Sequence, residues 1–250
     1  MHQHESVAGE LHGRVIAITG AGSGIGKAIA LAAAALSAEV ILIGKNVKQL
    51  ESVHATIEQA KPSGSALIAP LDLERALARD YDQLAAAIQQ RYGRLDGLVH
   101  CAAQLGALAP IDHYDVPTWC RVLHVNLTAA FALTQVLLPV LRASQDASII
   151  FTSCSAGREA RAYWGAYAVS KAAVDTFSRV LADENTRHAG LRCNTLDPGS
   201  ARTALRRAAF PSEELSAAPE PATRVQPFLW LLSANSRGVS GQSLMARPAA

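Results

Sequence analysis

A tyrosine and a lysine stand four residues apart in the segment YAVSK, at Tyr167 and Lys171. The surrounding stretch WGAYAVSKAAVDTFSRVLA has the composition of a helix, in which residues i and i+4 share a face. An ammonium beside a phenol favours the phenolate and lowers the tyrosine pKa from its ordinary value of about 10. We therefore predict that Tyr167 is a general acid/base and that Lys171 lowers its pKa. Alone, this spacing is common and usually marks a solvated pair.

A glycine-rich segment about 140 residues earlier, TGAGSGIG, makes a chance pairing a poor explanation. It follows the apolar run RVIAIT and precedes a stretch of helical composition, so it predicts a strand-to-helix turn that receives a pyrophosphate. The spacing is T-G-x-x-x-G-x-G, with Gly20, Gly24 and Gly26. A G-x-G-x-x-G fingerprint starting at Gly20 would need glycine where the chain has Ile25. A plain tight turn is the alternative.

The end of the second predicted strand indicates which dinucleotide is bound. An NAD-binding fold often places a carboxylate there to bond the ribose hydroxyls. This chain reads ILIGKN, with Lys45 and Asn46 after Gly44 and no carboxylate. A lysine would attract a 2′-phosphate, which favours NADP(H) over NAD(H). The alternative is that Lys45 is only a surface lysine.

Short apolar runs alternate with helical patterns along most of the chain. This alternation predicts an α/β fold, a single-domain Rossmann-type doubly wound parallel sheet of about seven strands with helices on both faces. One helix is expected to bury Val47, Leu50, Val53 and Ile57 on one face. The predicted strands are RVIAIT, EVILIG, ALIAPLDL, LDGLVHCA, ASIIFTS, LRCNTLDPG and SGQSLMA.

No repeat, low-complexity tract or linker marks a second domain, so residues 1–250 are predicted to form one. Residues 1–11 are polar and expected to be flexible. Residues 200–221 are rich in Arg, Pro, Ser and Ala and irregular in pattern. A long irregular segment after a strand is usually a lid or binding loop, which is the prediction for this one.

Composition excludes several classes of function. A formal net charge of +2 argues against nucleic-acid or membrane binding. The four cysteines are widely spaced within apolar runs, so we expect buried free thiols and no metal site. No apolar run looks long enough to span a bilayer, and the N-terminus is polar rather than a signal peptide. These features favour a cytoplasmic protein. The cysteines are Cys101, Cys120, Cys154 and Cys193.

From about Leu11 to Met245 the sequence resembles the short-chain dehydrogenase/reductase family. The resemblance is carried by TGAGSGIG, the Asp72-Leu73 pair, LDGLVHCAA, Asn126 in HVNLTAAF, the serine-rich stretch before Gly157, YAVSK and DPGSART. The runs GREARAYWGAYAVSK and DPGSARTALRRAAFP resemble especially its YciK-type branch of bacterial oxidoreductases. The combined motifs are highly specific for the family and less so for the branch.

The resemblance implies a role for each matching residue. Tyr167 is the acid/base, Lys171 binds the nicotinamide ribose, and Asn126 completes a water-linked proton relay from Lys171. The glycine loop holds the pyrophosphate side of the cofactor through Gly20, Ser23, Gly24, Ile25 and Gly26. Cofactor contacts are also implied at Asp72 and Leu73 beside the adenine, at Ala102, and at Pro198, Gly199 and Thr203 beside the nicotinamide.

Two departures from the family pattern stand out. The fourth strand ends Cys101-Ala102-Ala103 where the family has Asn-Ala-Gly, which removes a side chain that ties neighbouring backbone. The family's substrate-orienting serine lies thirteen residues before the tyrosine, and that position is Cys154. A thiol is a weaker hydrogen-bond donor than a hydroxyl and should stabilise a developing oxyanion less. A strand bulge could instead bring Ser153 or Ser155 into the site.

The sequence thus supports two functions. The first is an NADP(H)-dependent oxidoreductase acting on a small carbonyl or alcohol substrate, which would contact residues 104–115, 158–164 and 200–221. The second is a catalytically weakened NADP(H)-binding protein that serves as a redox sensor or assembly subunit. A covalent role for Cys154 is disfavoured because no histidine base is local in sequence. The family resemblance also implies a homodimer or homotetramer, paired through helices at residues 118–141 and 163–188.

Overall fold

Seven parallel strands form one sheet in the part of the chain that this computed structural model describes, residues 10–60, 64–188 and 190–246. Their order across the sheet is β3-β2-β1-β4-β5-β6-β7, so the direction of winding reverses between β1 and β4. The predicted α/β doubly wound fold is confirmed. The strands are β1 (Val15–Thr19), β2 (Glu39–Gly44), β3 (Ser65–Pro70), β4 (Gly97–His100), β5 (Ala147–Thr152), β6 (Leu191–Asp197) and β7 (Ser243–Met245).

β1 is a continuous apolar run, and the polar residues of β6 are buried with its apolar ones, because helices cover both faces of the sheet. Every residue of β1, β4 and β6 is buried. The helices are α1 (Gly24–Ala35), α2 (Val47–Ala60), α3 (Ala78–Tyr92), α4 (Val116–Leu123), α5 (Ala129–Arg142), α6 (Gly165–Glu184), α7 (Ala204–Ala209) and α8 (Gln226–Leu232). A π-helical turn, His124–Thr128, joins α4 to α5.

Two apolar clusters, one on each face, fix the helices to the sheet. On one face Leu98 and Ile149 pack with Leu133 and Leu137 of α5. On the other, Ile16 and Ile18 pack with apolar residues of α1, α2 and α8. Burying large aliphatic side chains in this way stabilises each by about 1.5 to 3 kcal/mol. The strands that reach the site are therefore held rigidly at their carboxyl ends.

One residue of the predicted apolar face of α2 lies elsewhere. Leu50, Val53 and Ile57 are buried as expected, but Val47 is 42 % exposed. Val47 is the first residue of α2, and at this end of the helix its side chain faces solvent. The prediction for Val47 was wrong.

The stretch Val116–Arg142 contradicts the expectation that no segment could span a bilayer. Among the described helices it is long and apolar enough to do so by length and composition. Its apolar side chains have a different explanation in this fold, because Leu133, Leu137 and Leu141 of α5 are fully buried against the sheet. A core helix of this kind needs the same composition as a membrane span.

The cysteines are free, but they are not uniformly buried as predicted. Cys193 is buried, and Cys101 and Cys154 are half-buried at the carboxyl ends of their strands. Cys120 is exposed, because it lies on the solvent side of α4. The expectation of burial was wrong for Cys120.

Candidate active site

The carboxyl ends of the central strands open on one cleft of about 780 Å³. It lies where the strand order reverses, which is the usual ligand site of an open α/β sheet. The predicted residues lining it include Gly20, Ser23, Gly24, Ile25, Gly26, Lys45, Asn46, Asp72, Leu73, Ala102, Cys154, Tyr167, Lys171, Pro198, Gly199 and Thr203. Tertiary structure thus brings together residues that are up to about 180 positions apart in sequence.

The glycine loop has the geometry of an anion site. Gly20 and Gly24 have φ values of +67° and +53°, which side chains disfavour, and α1 begins at Gly24. A Cβ on Gly26 would collide with the backbone carbonyl of Gly20. The Ser23 side chain precedes the helix without capping it, so the free N–H groups of the first turn face the cleft.

A positively charged side chain lies at the end of the cleft formed by β2. Lys45 is exposed at the cleft wall. Asn46 next to it accepts a hydrogen bond from the backbone N–H of Gln49 (3.2 Å) and so helps to begin α2. After the neighbouring strand β3, Asp72 accepts from the N–H of Glu74 (3.1 Å), and Leu73 is buried between cleft and core.

The backbone at the end of β4 is tied by a residue that the sequence did not single out for this role. The Thr19 hydroxyl accepts hydrogen bonds from the N–H groups of Cys101 (3.0 Å) and Ala102 (3.1 Å). These two hydrogen bonds from Thr19 of β1 therefore compensate for the side chain whose absence was expected to loosen Cys101-Ala102-Ala103. The sequence feature that could have indicated this role is Thr19, the first residue of TGAGSGIG, whose side chain faces β4.

Asn126 lies in the π-helical turn, and its side chain is fully engaged with protein groups. Its amide oxygen accepts from the N–H of Gln104 (2.7 Å), and its NH₂ group donates to the Gln104 carbonyl (2.9 Å) and the Ser170 hydroxyl (3.0 Å). Asn126 and Lys171 both line a cavity of about 10 Å³, at the lower limit of what admits one water molecule. The Thr152 hydroxyl lies buried at its wall.

Tyr167, Lys171 and Cys154 meet on the cleft floor. The Lys171 ammonium donates to the Thr152 carbonyl (2.6 Å) and lies 5.6 Å from the centre of the Tyr167 ring. Cys154 follows β5 in extended conformation, and its side chain packs against the small cluster that contains Tyr167. Ser153 and Ser155 also line the cleft, and the Ser153 hydroxyl is buried without a partner in the described chain. The β5–β6 ladder is regular up to Thr152.

The expected lowering of the tyrosine pKa is not what the structure gives. Burial raises the pKa of the Tyr167 phenol well above 10, and Cys154 and the Asp197 carboxylate raise it further. Burial lowers the pKa of Lys171, against the opposing effect of neighbouring thiols and carboxylates. The prediction of a lowered pKa was wrong for this state of the protein, because a 7 % exposed phenol loses more from desolvation than it gains from one ammonium.

The end of β6 contributes three predicted residues and one unpredicted carboxylate. Gly199 has φ +74°, and its N–H donates to Asp197 (2.9 Å), which shapes the turn at Pro198. Thr203 caps α7 through the N–H of Arg206 (3.1 Å). Asp197 is buried, lines the cleft and pairs with Arg158. Its position directly before the Pro-Gly pair was the signal that sequence reasoning passed over.

Beyond Tyr167 the cleft has an aromatic wall, whose residues lie in two of the segments expected to contact substrate. Trp164 lies 5.8 Å from Tyr167 and 5.6 Å from Phe210, centre to centre. The Arg206 guanidinium stacks on Phe210 at 3.9 Å and is held by two 2.7 Å bonds to Glu213. Of the segments expected to contact substrate, residues 200–210 and 158–164 reach the cleft, whereas residues 104–115 contribute only Gln104.

Histidine and metal chemistry receive no support from the described geometry. His100 is buried, burial lowers its pKa to about 3, and its Nε2 pairs with the Thr134 hydroxyl (2.8 Å). His188 lies beyond the far end of α6 from Tyr167. Within the described ranges, no three His, Cys, Asp or Glu side chains are grouped to hold a metal ion.

The fold and this cleft define a dinucleotide-dependent oxidoreductase, and the chain belongs to the short-chain dehydrogenase family. The family profile, described as short chain dehydrogenase, matches residues 14–214. The predicted family is therefore confirmed.

The similar proteins support the predicted branch. The uncharacterized oxidoreductase YciK of Escherichia coli K12 is 40 % identical over 238 residues, which cover 95 % of this chain and 93 % of YciK. A solved short chain dehydrogenase from Pseudomonas syringae matches with a TM-score of 0.96 and 42 % identity over 99 % of this chain and 100 % of that one. Another, from Escherichia coli CFT073 and complexed with NADPH, matches with a TM-score of 0.91 and 41 % identity over 97 % and 100 %.

Proposed function

We propose that this protein is an NADP(H)-dependent oxidoreductase that interconverts a small carbonyl compound and the corresponding alcohol. The observation that carries the proposal is the meeting of Cys154, Tyr167 and Lys171 on the floor of the cleft that begins at the glycine loop. A proton-transferring phenol beside a dinucleotide cleft is the arrangement that carbonyl reduction requires.

The residues present fit NADP(H). The glycine loop offers a cradle that a Cβ at Gly26 would fill, and the first turn of α1 presents free N–H groups to a pyrophosphate. The exposed Lys45 ammonium suits a 2′-phosphate, and the end of β2 has no carboxylate to repel one. The relative from Escherichia coli CFT073, complexed with NADPH, supports the same choice.

When bound, the nicotinamide supplies or accepts a hydride. Tyr167 donates its hydroxyl proton to the substrate oxygen during reduction and takes a proton back during alcohol oxidation. Lys171 is held by the Thr152 carbonyl so that its charge stays beside the phenol. The 10 Å³ cavity lined by Asn126, Thr152 and Lys171 would hold the water through which Asn126 connects to Lys171. Cys154 would orient the substrate oxygen.

Replacing Tyr167 with Phe tests the proposal. We expect Tyr167→Phe to lower kcat/KM for NADPH oxidation with a panel of ketones and aldehydes by at least roughly a hundredfold, because general acid catalysis is lost. NADPH binding, followed by cofactor fluorescence, should stay within about threefold. The exposed Tyr163→Phe is the matched control and should retain activity. Equal rates for Tyr167→Phe and the unmodified protein would refute the role of Tyr167.

A second function remains supported by one observation. The side chain at the substrate-orienting position is the Cys154 thiol, and burial raises the pKa of the nearby Cys101 thiol, so neither is placed as a strong donor. A catalytically weakened NADP(H)-binding protein, acting as a redox sensor or assembly subunit, would keep the cofactor cleft and lose turnover. The serine replacement discussed below separates the two functions.

We further propose that the protein is a cytoplasmic homodimer or homotetramer, with residues 1–250 as one domain and residues 200–221 as a lid over the substrate. Exposed apolar side chains on the helices expected to pair, Phe131 of α5 with Val169 and Val180 of α6, support the association. Residues 200–210 already wall the cleft, which suits a lid. The expected flexibility of residues 1–11 falls almost wholly outside the described residues.

A further inference from the structure

The guanidinium of Arg158 lies between two buried carboxylates beside the tyrosine helix. Its Nη2 is 2.5 Å from Asp197 Oδ2, and its Nη1 is 3.9 Å from Asp175 Oδ2. Asp197 ends β6, Asp175 belongs to α6, and Arg158 follows the short turn Ser155–Gly157 that comes directly after Cys154. One side chain therefore connects the three segments that form the floor of the cleft.

These carboxylates depend on Arg158 for a cationic hydrogen-bonding partner. The Asp197 side chain is 5 % exposed, that of Asp175 is 10 % exposed, and that of Arg158 is 30 % exposed. Asp197 Oδ1 accepts from the Gly199 N–H (2.9 Å), whereas Asp175 Oδ1 has no hydrogen-bond partner in the described part of the chain. A buried carboxylate is costly without a partner of opposite charge, and Arg158 is the cation that compensates Asp197.

Four charged groups lie on the segments around Tyr167, and their charges balance. Lys171 and Asp175 lie on α6, Arg158 follows β5, and Asp197 ends β6, which gives two positive and two negative groups. The titratable thiols are Cys101 after β4 and Cys154 after β5. Farther along the cleft, Arg206 is paired with Glu213, and Arg161 with Glu159.

Removing one member of this set should change the charge that the phenol experiences. The Asp197 carboxylate acts on Tyr167 in the direction that raises its pKa, and it also raises that of Lys171. Arg158, in direct contact with Asp197, offsets that negative charge. We propose that Arg158 is a positioning residue that neutralises Asp197 and thereby controls when the Tyr167 phenol releases its proton. The proposal rests on the proposed acid/base role of Tyr167.

Nuclear magnetic resonance of protein labelled with ¹³Cζ-tyrosine tests this without needing turnover. The Tyr167 signal is assigned by its loss in Tyr167→Phe, and the protein is titrated free and saturated with NADP⁺. Arg158→Gln should raise the Tyr167 pKa by about one unit, and Asp197→Asn should lower it by about as much, because each changes the local charge by one. The double variant should return to within about 0.3 units of the unmodified protein. Arg179→Gln, an exposed arginine of α6, is the control and should cause no shift.

Each outcome decides the proposal. Opposite shifts that cancel in the double variant support it. Unmoved Tyr167 pKa values in both single variants, or a double variant that behaves like Arg158→Gln alone, would overturn it. A change in NADP⁺ affinity by Asp197→Asn with an unmoved Tyr167 pKa would make Asp197 a cofactor contact and would also overturn it.

Two further comparisons keep the test decisive. If Arg158→Gln fails to fold, Arg158→Lys, which keeps the charge, should leave the pKa near its original value while Asp197→Asn still lowers it; any other pair of results overturns the proposal. Opposite shifts in a protein that turns over no carbonyl compound would contradict the proposed function and leave the ion-pair role standing.

Discussion

At the residue scale, position 154 is the departure from the family pattern that lies beside the predicted acid/base. The Cys154 side chain reaches Tyr167 from the strand end where a serine hydroxyl was expected. Counting from Tyr167 selected Cys154 for this position, and the two side chains lie in one cluster at the end of β5. What the count could not supply is the strength of a thiol as donor in a half-buried site.

We expect Cys154→Ser to raise kcat/KM for NADPH-dependent carbonyl reduction by roughly tenfold or more, because a hydroxyl stabilises a developing oxyanion better than a thiol. Steady-state NADPH oxidation measures the change, and Cys120→Ser, at an exposed position on α4, is the control. Tight NADPH binding with no turnover in either form would instead favour the redox sensor or assembly subunit.

At the element scale, the carboxyl end of β2 is expected to determine whether the protein prefers NADP(H) or NAD(H). Lys45 directly follows the last residue of β2 and stands exposed at the cleft. The sequence could place it there because EVILIG is apolar up to a glycine, and the observed strand has the same bounds. The π-helical turn that carries Asn126 was not foreseeable, because its residues have ordinary helical composition.

Lys45→Ala should raise the KM for NADPH by roughly tenfold, the loss of one charge-assisted hydrogen bond, and leave the KM for NADH within about twofold. Initial rates with each cofactor measure the ratio. Lys48→Ala, an exposed lysine of α2 outside the cleft lining, should change neither value. An equal loss with both cofactors would show that Lys45 does not read the 2′-phosphate.

At the scale of the whole molecule, an ion cluster connects β1, β5 and β6 at their amino-terminal ends, opposite the cleft. Asp146, just before β5, pairs with Arg14 (3.1 Å), Arg192 (2.8 Å) and Arg237 (3.3 Å). Although burial alone would raise the pKa of Asp146, the Arg192 and Arg14 guanidiniums hold it below its usual value. A lowered folded-state pKa gives stability that is fully present above the unfolded-state value of about 4 and is lost as pH falls from there through the lower folded-state pKa.

Asp146→Asn should lower the free energy of unfolding at pH 7 by about 3 to 5 kcal/mol, because it leaves the buried Arg192 without its counter-ion. Urea unfolding followed by circular dichroism measures the loss, which should shrink in the acid range. Asp112→Asn, at an exposed position, should change stability by less than about 0.5 kcal/mol. A loss of similar size in both variants would contradict the role of the cluster.

The sequence by itself determined the fold class, the order of strands and helices, and the glycine, tyrosine and lysine motifs. These are local signals: apolar periodicity, glycine spacing and residues one helical turn apart depend only on neighbours in the chain. Strand ends were predicted less well where an apolar run continues past the strand. The run ALIAPLDL predicted a strand up to Leu73, but β3 ends at Pro70, and residues Leu71 to Leu73 line the cleft.

Only the tertiary structure decided the electrostatics and the outer walls of the site. The pKa of Tyr167 depends on burial and on Asp197, thirty residues away in sequence, and the rigidity of Cys101-Ala102 depends on Thr19 from another strand. The pairing of Arg158 with Asp197 and the contact of Trp164 with Phe210 likewise join distant segments. Desolvation and charge pairing are properties of the packed assembly, so no local pattern in the sequence could express them.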